Sequence, residues 1–372
     1  MRRFVIMSGM ASLLAGSSVR AGETNLKSDE QIVFYPGEAQ RVPGQTNLWR
    51  AEIHGCVFEV EKRRLLIAAL RKALELKTNE MTAAESAQFS DRARLFLVDH
   101  ERGKKIYIRC GTNEFFVGKS GADGRFGAEI LLRDADLERR SPPRRDPGDD
   151  AKHAGPEAGA PFAAVLRPGD ERMFFGAIFP LEAIGLSVIS DIDDTIKITE
   201  VRNRKATLRN TFLREFQPVP GMAEFYQLLA QSNHAAFHYI SGSPWQLYEP
   251  LAAFLTTNGF PAGAFALKQF RWKDRSFFSL FADPEQYKLG VMQPLLKQFP
   301  QRRFILIGDS GERDPEVYGA LARQFPQQIQ HIYIRDVTGE TAAARYQKAF
   351  REVPRARWQI FRAPREITVA PE

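Results

Sequence analysis

Ser187–Glu200 reads SVISDIDDTIKITE, and the rest of the chain is organised around this stretch. Val188 and Ile189 close a short apolar run of the kind that forms a buried parallel strand. Asp191, Asp193 and Asp194 follow directly. In open α/β sheets, ligands gather just beyond the carboxyl ends of such strands. Three carboxylates there repel one another and are costly to bury unpaired. A hard divalent cation such as Mg2+, which takes carboxylate, carbonyl and water oxygens, resolves that conflict. A carboxylate beside such an ion is also a nucleophile for phosphorus and forms an aspartyl-phosphate. The competing reading of this stretch alone is an acidic turn on a solvated loop.

Two distant segments decide between these readings. Phe237–Ser243 (FHYISGS) is an apolar strand that runs into Ser241 and Gly242. Phe304–Tyr318 (FILIGDSGERDPEVY) is another, running into Asp309 and then Asp314. Between them, Lys288 opens the helical segment KLGVMQPLLKQF. This order (strand-DxDxT, strand-Ser, Lys at a helix start, strand-GDxxxxD) resembles the haloacid-dehalogenase (HAD) phosphohydrolase superfamily. The resemblance implies a Rossmannoid parallel sheet with crossover helices and a small cap or none.

The resemblance also implies roles. Asp191 matches the nucleophile, and Asp193 the general acid that later activates water. Thr195 matches the hydroxyl supporting this loop. Ser241, with Gly242 beside it, matches the group that binds a phosphoryl oxygen, and Ser243 competes for that role. Lys288 matches the lysine balancing the nucleophile and the transferring phosphoryl group, with Lys268 and Lys273 as alternatives. Asp309 and Asp314 match the acidic residues around Mg2+, and Asp191 and the backbone carbonyl of Asp193 complete the protein ligands. Asp194 has either a supporting role or that of a solvent-facing cap, and Glu312 is equally readable as a surface residue.

A finer resemblance is carried by SDIDDTIKITEV, TFLREFQPVPGMAEFY, YISGSPWQLYEPL and ILIGDSGERDPEVY. Together, over roughly Gly185–Val337, these are similar to the phosphatidate phosphatase catalytic-domain family, whose bacterial members pair it with an N-terminal β domain. That implies hydrolysis of phosphatidate to diacylglycerol and phosphate, whereas the residues by themselves reach only phosphomonoester hydrolysis. A phosphatase for soluble or protein phosphoesters is the alternative enzyme. An inactive binding module would show loss of Asp191, Asp193, Lys288 or Asp309, and each is present. The intervals between motifs are of crossover length and leave no room for a large cap. Such an open site suits a bulky lipid phosphate at a membrane surface. Val201–Phe216 is a candidate flap, with Arg202, Arg204, Lys205 and Arg209 facing an anionic surface. Residues 269–281 read as an interfacial loop.

The chain has 372 residues, 44% hydrophobic and 26% charged, enough for two domains. Its net charge of +7 favours acidic partners such as phosphate esters or anionic lipids. Zinc-finger spacing and a basic-aromatic RNA-binding pattern are both lacking, so nucleic acid is not expected as a partner. Met1-Arg2-Arg3, an apolar Phe4–Gly16 and Val19-Arg20-Ala21 read as a signal peptide over 1–21, hence an exported, periplasmic or extracellular protein. Residues 22–180 alternate as a β-rich, sandwich-like domain, interrupted by a helix over Leu65–Leu76 and a Pro/Gly-rich flexible loop at 139–161. GADGRFGAEI predicts a hairpin with Asp123-Gly124 at its tip. Residues 181–345 form the HAD-like unit, and 346–372 a C-terminal helix and tail. Cys56 and Cys110 form either one disulfide or two buried thiols. Neither has the spacing of a metal site.

Overall fold

A computed structural model describes residues 22–60, 64–137, 159–269, 284–339 and 344–367. The expected signal peptide, almost all of the 139–161 loop with His153, and nearly all of the 269–281 loop with Lys273 lie outside the described residues.

The first half supplies strands β1 (Glu30–Tyr35), β2 (Gly37–Arg41), β3 (Leu48–Glu59), β4 (Asp99–His100), β5 (Lys105–Cys110), β6 (Asn113–Lys119), β7 (Arg125–Arg133), β8 (Ala160–Ala164) and β9 (Phe175–Leu181). Helices α1 (Arg64–Ala73) and α2 (Ala83–Arg94) are inserted after β3, and the short α3 (Asp134–Leu137) follows β7. The expected sandwich-like arrangement takes the form of one mixed nine-stranded sheet in order β1-β3-β2-β9-β8-β5-β6, with β4 and β7 joined to β3. The sheet wraps round the apolar side chains of Ile53, Ile106, Ile108, Phe126, Phe162 and Ile178. The Asp123-Gly124 turn is present, with Gly124 at φ 69°. Its following strand does not close the expected hairpin, however: β7 pairs antiparallel with β3, from Leu48↔Arg133 to Cys56↔Arg125. The long β3 offers a continuous alternating edge, and that non-local pairing outweighs the local turn.

The second half alternates strand and helix: β10 (Leu186–Asp191), α4 (Arg204–Phe212), α5 (Met222–Asn233), β11 (Ala236–Pro244), α6 (Tyr248–Thr257), β12 (Ala264–Lys268), α7 (Pro284–Gln298), β13 (Arg303–Asp309), α8 (Asp314–Gln324), β14 (Ile329–Arg335), α9 (Ala344–Ala349) and β15 (Trp358–Phe361). The sheet runs β12-β11-β10-β13-β14-β15, parallel throughout. Strands added first to one side of β10 and then to the other create a topological switch point beside it, where such sheets place their ligands. From Ser187 to Asp191, β10 is buried at every position, as its near-continuous apolar run predicts. The sixth strand, β15, lies in a segment expected to be tail. It pairs with β14 from Ile332↔Trp358 to Arg335↔Phe361.

The two halves share a hydrophobic cluster. Tyr35, Cys56, Leu70, Phe89 and Phe96 pack into the same core as Val188, Phe212, Trp245 and Leu247. The Tyr35 and Trp245 rings approach to 4.1 Å between centroids. Cys56 and Cys110 are both free and buried. Burial pushes each thiol up to about 12.

Candidate active site

The site grows out of the carboxyl end of β10. Asp191 ends that strand, and the chain then tightens: Ile196 N and Lys197 N both donate to Ile192 O at 3.0 Å. Asp194 adopts a left-handed conformation with φ 59°. Its Oδ1 accepts from Thr199 N (2.8 Å) and Glu200 N (2.7 Å), and its Oδ2 from Val201 N (2.7 Å). A carboxylate is well suited to gather three backbone N–H groups in one bend. Asp194 is buried, so of the two roles weighed for it the supporting one describes its place.

This bend sends alternate carboxylates to different neighbours. Asp191 accepts from Thr195 Oγ1 at 3.0 Å and lies 2.9 Å from Lys288 Nζ. Asp193 points to a separate group. Its Oδ1 lies 2.7 Å from Lys197 Nζ and accepts from Thr199 Oγ1 at 2.8 Å. Its Oδ2 accepts from Ser241 Oγ at 2.7 Å and Ser243 Oγ at 3.1 Å. Burial alone would raise Asp193, but Lys197, Ser241 and Thr199 override it and hold the carboxyl down at about 2. Ser241 and Ser243, weighed as competitors, both converge on Asp193. Gly242 lines a cavity beside Asp193, together with Ser243.

Lys288, near the start of α7, is buried and reaches three carboxylates: Asp191, Glu312 Oε2 at 3.1 Å, and Asp314. Burial would lower its pKa, yet these three carboxylates raise it well above the usual lysine value. Glu312 therefore belongs to the cluster and is not a surface residue. Of the alternatives to Lys288, Lys268 lines that same cavity and lies 5.9 Å from the Tyr287 ring.

Asp309 ends β13. Its Oδ1 accepts from Gly311 N at 2.6 Å, and its backbone N donates to Asp314 Oδ2 at 3.2 Å. Gly308 makes this approach possible, since a Cβ there would sit 2.3 Å from Asp314 Oδ2. Asp309 Oδ2 is buried and has no hydrogen-bond partner. One carboxylate oxygen each from Asp191, Asp309 and Asp314 lies within 4.8 Å of the others. Burial, with neighbouring carboxylates adding to it, lifts both Asp191 and Asp309 well above the ordinary range. Asp191, Asp193, Asp309, Glu312 and Asp314 thus outnumber Lys197 and Lys288. An all-oxygen set with an orphaned buried acceptor and surplus negative charge fits a hard divalent cation. The Asp193 carboxylate stands outside this triad, so any share it takes in the metal falls to its backbone carbonyl.

Sequence reasoning missed Lys197 and Thr199. Lys197 is buried, with Asp193 and Thr199 around its ammonium group. The readable signal was the Asp193/Lys197 spacing of four. Of the basic side chains in the candidate flap, which contains α4, Arg209 is held in a close ion pair, whereas Arg202, Arg204 and Lys205 are exposed. Arg209 pairs with Glu85 at 2.6 Å, Lys205 lies 3.5 Å from Glu80, and Arg204 lies 3.9 Å from Glu75. Glu75 and Glu80, following α1, and Glu85 in α2 are thus their acidic neighbours.

A parallel sheet with an acidic, lysine-balanced centre at its switch point makes this an α/β protein whose site chemistry rests on carboxylates. Residues 186–336 match the model of the family described as "Phosphatidate phosphatase APP1, catalytic domain". Phosphatidate phosphatase APP1 of Saccharomyces cerevisiae is 41% identical over 155 residues, covering 41% of this chain and 26% of that protein. An uncharacterized protein of Schizosaccharomyces pombe is 32% identical over 164 residues, covering 43% of this chain and 26% of that protein. The chain thus spans about a quarter of the length of these curated relatives. Among solved structures, a chain of the Pnkp1/Rnl/Hen1 complex aligns at 13% identity and TM-score 0.29, over 44% of this chain and 55% of that one. That likeness is too loose to carry an argument. Over residues 186–336 the chain is thus similar to the phosphatidate phosphatase catalytic-domain family.

Proposed function

We propose that this protein is a Mg2+-dependent, HAD-like phosphatase that removes phosphate from a lipid phosphate, yielding diacylglycerol where the substrate is phosphatidate. The observation that carries the reading is the buried Asp191–Lys288 pair beside the orphaned Asp309 Oδ2. The family match of residues 186–336 supports the substrate class. When bound by Asp191, Asp309 and Asp314, the cation supplies positive charge against the phosphoryl oxygens.

An Asp191 oxygen attacks phosphorus, and the P–O bond to the alcohol breaks. Lys288 balances charge on Asp191 and on the transferring group. Ser241 and Ser243, now bonded to Asp193, are placed to turn a hydroxyl towards a phosphoryl oxygen. Asp193 is ionised in the resting site, so it receives its proton from the substrate monoanion and passes it to the leaving alkoxide. It then takes a proton from the water that hydrolyses the aspartyl-phosphate.

We also propose export, on the strength of the leader-like residues 1–21. Among the described residues, no helix is long and apolar enough to cross a membrane.

The test is phosphate release from phosphatidate in mixed micelles and from glycerol 3-phosphate, each with Mg2+ and with EDTA. Metal-dependent release from phosphatidate supports the proposal. Release from glycerol 3-phosphate alone keeps the chemistry and removes the lipid, and release unaffected by EDTA removes the metal.

A further inference from the structure

The cavity beside Asp193 has a mixed lining. Thr199 and Ser243 give it polar groups, whereas Phe96, Phe212 and Leu247 give it apolar ones. Phe212 and Leu247 come from the parallel-sheet half of the chain. Phe96 does not: it follows α2, in the helical insertion of the β-rich half.

Several contacts fix this foreign ring in place. The Phe96 and Phe212 rings lie 5.5 Å apart, and Phe89 of α2 lies 6.3 Å from Phe212. Arg92 donates to Thr211 O at 2.5 Å and lies 3.9 Å over the Phe216 ring. Glu85 pairs with Arg209 while closing the capping box with Thr82 at the start of α2. Buried guanidinium–carbonyl bonds and aromatic packing hold α2 on α4. What they position is an apolar surface on the Asp193 side of the site.

Under the proposed reaction, on which this inference rests, Asp193 marks where the leaving alcohol lies. The first carbons of that alcohol then meet the apolar part of the cavity lining, to which Phe96 belongs. We propose that the helical insertion of the β-rich half forms part of the substrate site, and that Phe96 is a specificity-determining residue. Its ring favours an acylglycerol phosphate over a phosphate ester of a small polar alcohol. The β-rich half is thereby a component of substrate recognition.

The full chain is tested as wild type, Phe96→Ala and Phe96→Leu. Specificity constants are measured for dihexanoyl phosphatidate below its critical micelle concentration and for glycerol 3-phosphate. Phe96→Ala lowers the ratio of the two constants by about tenfold, the scale expected for losing a few buried carbon contacts. Phe96→Leu, which conserves most of the apolar volume, lowers it by about two- to threefold. If Phe96→Ala proves unstable, the Phe96→Leu ratio decides. Constants that fall together, or a ratio that stays unchanged in both variants, overturn the specificity role and leave the phosphatase reading intact. Wild type releasing phosphate from neither substrate overturns the phosphatase reading and this inference with it.

Discussion

Replacing Lys288 by Met keeps the aliphatic stem and removes the ammonium that Asp191, Glu312 and Asp314 share. Lys288 and both aspartates are almost wholly buried, so solvent does little to screen the loss. Removing one partner of a buried ion pair typically costs about 3–5 kcal/mol. With a urea m-value near 3 kcal/mol/M, the unfolding midpoint at pH 8 falls by about 1 to 1.7 M. The sign of the pH dependence follows from the carboxylates left behind. Burial already holds Asp191 and Asp309 well above their unfolded values. Such groups bind protons more tightly when folded, so they weaken the fold as pH rises above about 4, the ordinary carboxylate value. Without Lys288 this slope steepens, and lowering the pH from 8 to 5 restores part of the lost stability. Urea titrations followed by tryptophan fluorescence at both pH values measure this directly. A Lys288→Met midpoint within about 0.3 M of wild type at pH 8, with no greater pH dependence, refutes the reasoning that this ammonium neutralises a buried acidic cluster.

Asp194→Ala removes three hydrogen bonds to a charged acceptor and leaves backbone N–H groups of a buried bend without it. A loss of about 3–5 kcal/mol in urea unfolding is expected, and Asp194→Asn recovers part of it. Lys197→Met removes the largest influence opposing the burial of Asp193, so its carboxyl titration, followed by 13C NMR, moves up from about 2. An unmoved titration would show that the serines and Thr199 suffice. Cys56 and Cys110, pushed up to about 12, stay unreactive towards a thiol reagent at pH 8 in the native protein. Both react once urea unfolds the chain, and absence of reaction there would show a disulfide.

The parallel sheet was legible because each of its principal strands is a short apolar run ending in the polar residues that give the site its chemistry. Asp191 and Asp309 could be placed from sequence for that reason: apolar strands deliver them to the same edge of the sheet. The edge strand β15 was not legible. It is four residues long, lies in an Arg- and Pro-rich segment, and owes its form to the exposed edge of β14. Helix α2 was missed because only Phe89, Arg92 and Ala93 are buried along it, too few for a clear apolar stripe. Its capping box, Thr82 with Glu85, was the readable sign. The part of Asp194 depends on a left-handed backbone turn that no local pattern announces. The pairing of Arg209 was not legible because its partner Glu85 lies more than a hundred residues earlier, on an insertion whose docking only the tertiary fold sets.

The central claim is that Asp191 takes up the phosphoryl group. Its most direct measurement is rapid acid quench of the Mg2+-loaded enzyme turning over phosphatidate labelled in the phosphate, followed by borohydride reduction and peptide mass spectrometry. The account predicts transient label, and a reduced side chain, at Asp191 alone, both absent from Asp191→Asn, which also releases no phosphate. Sustained phosphate release with no label on Asp191, or label on another residue, would contradict it.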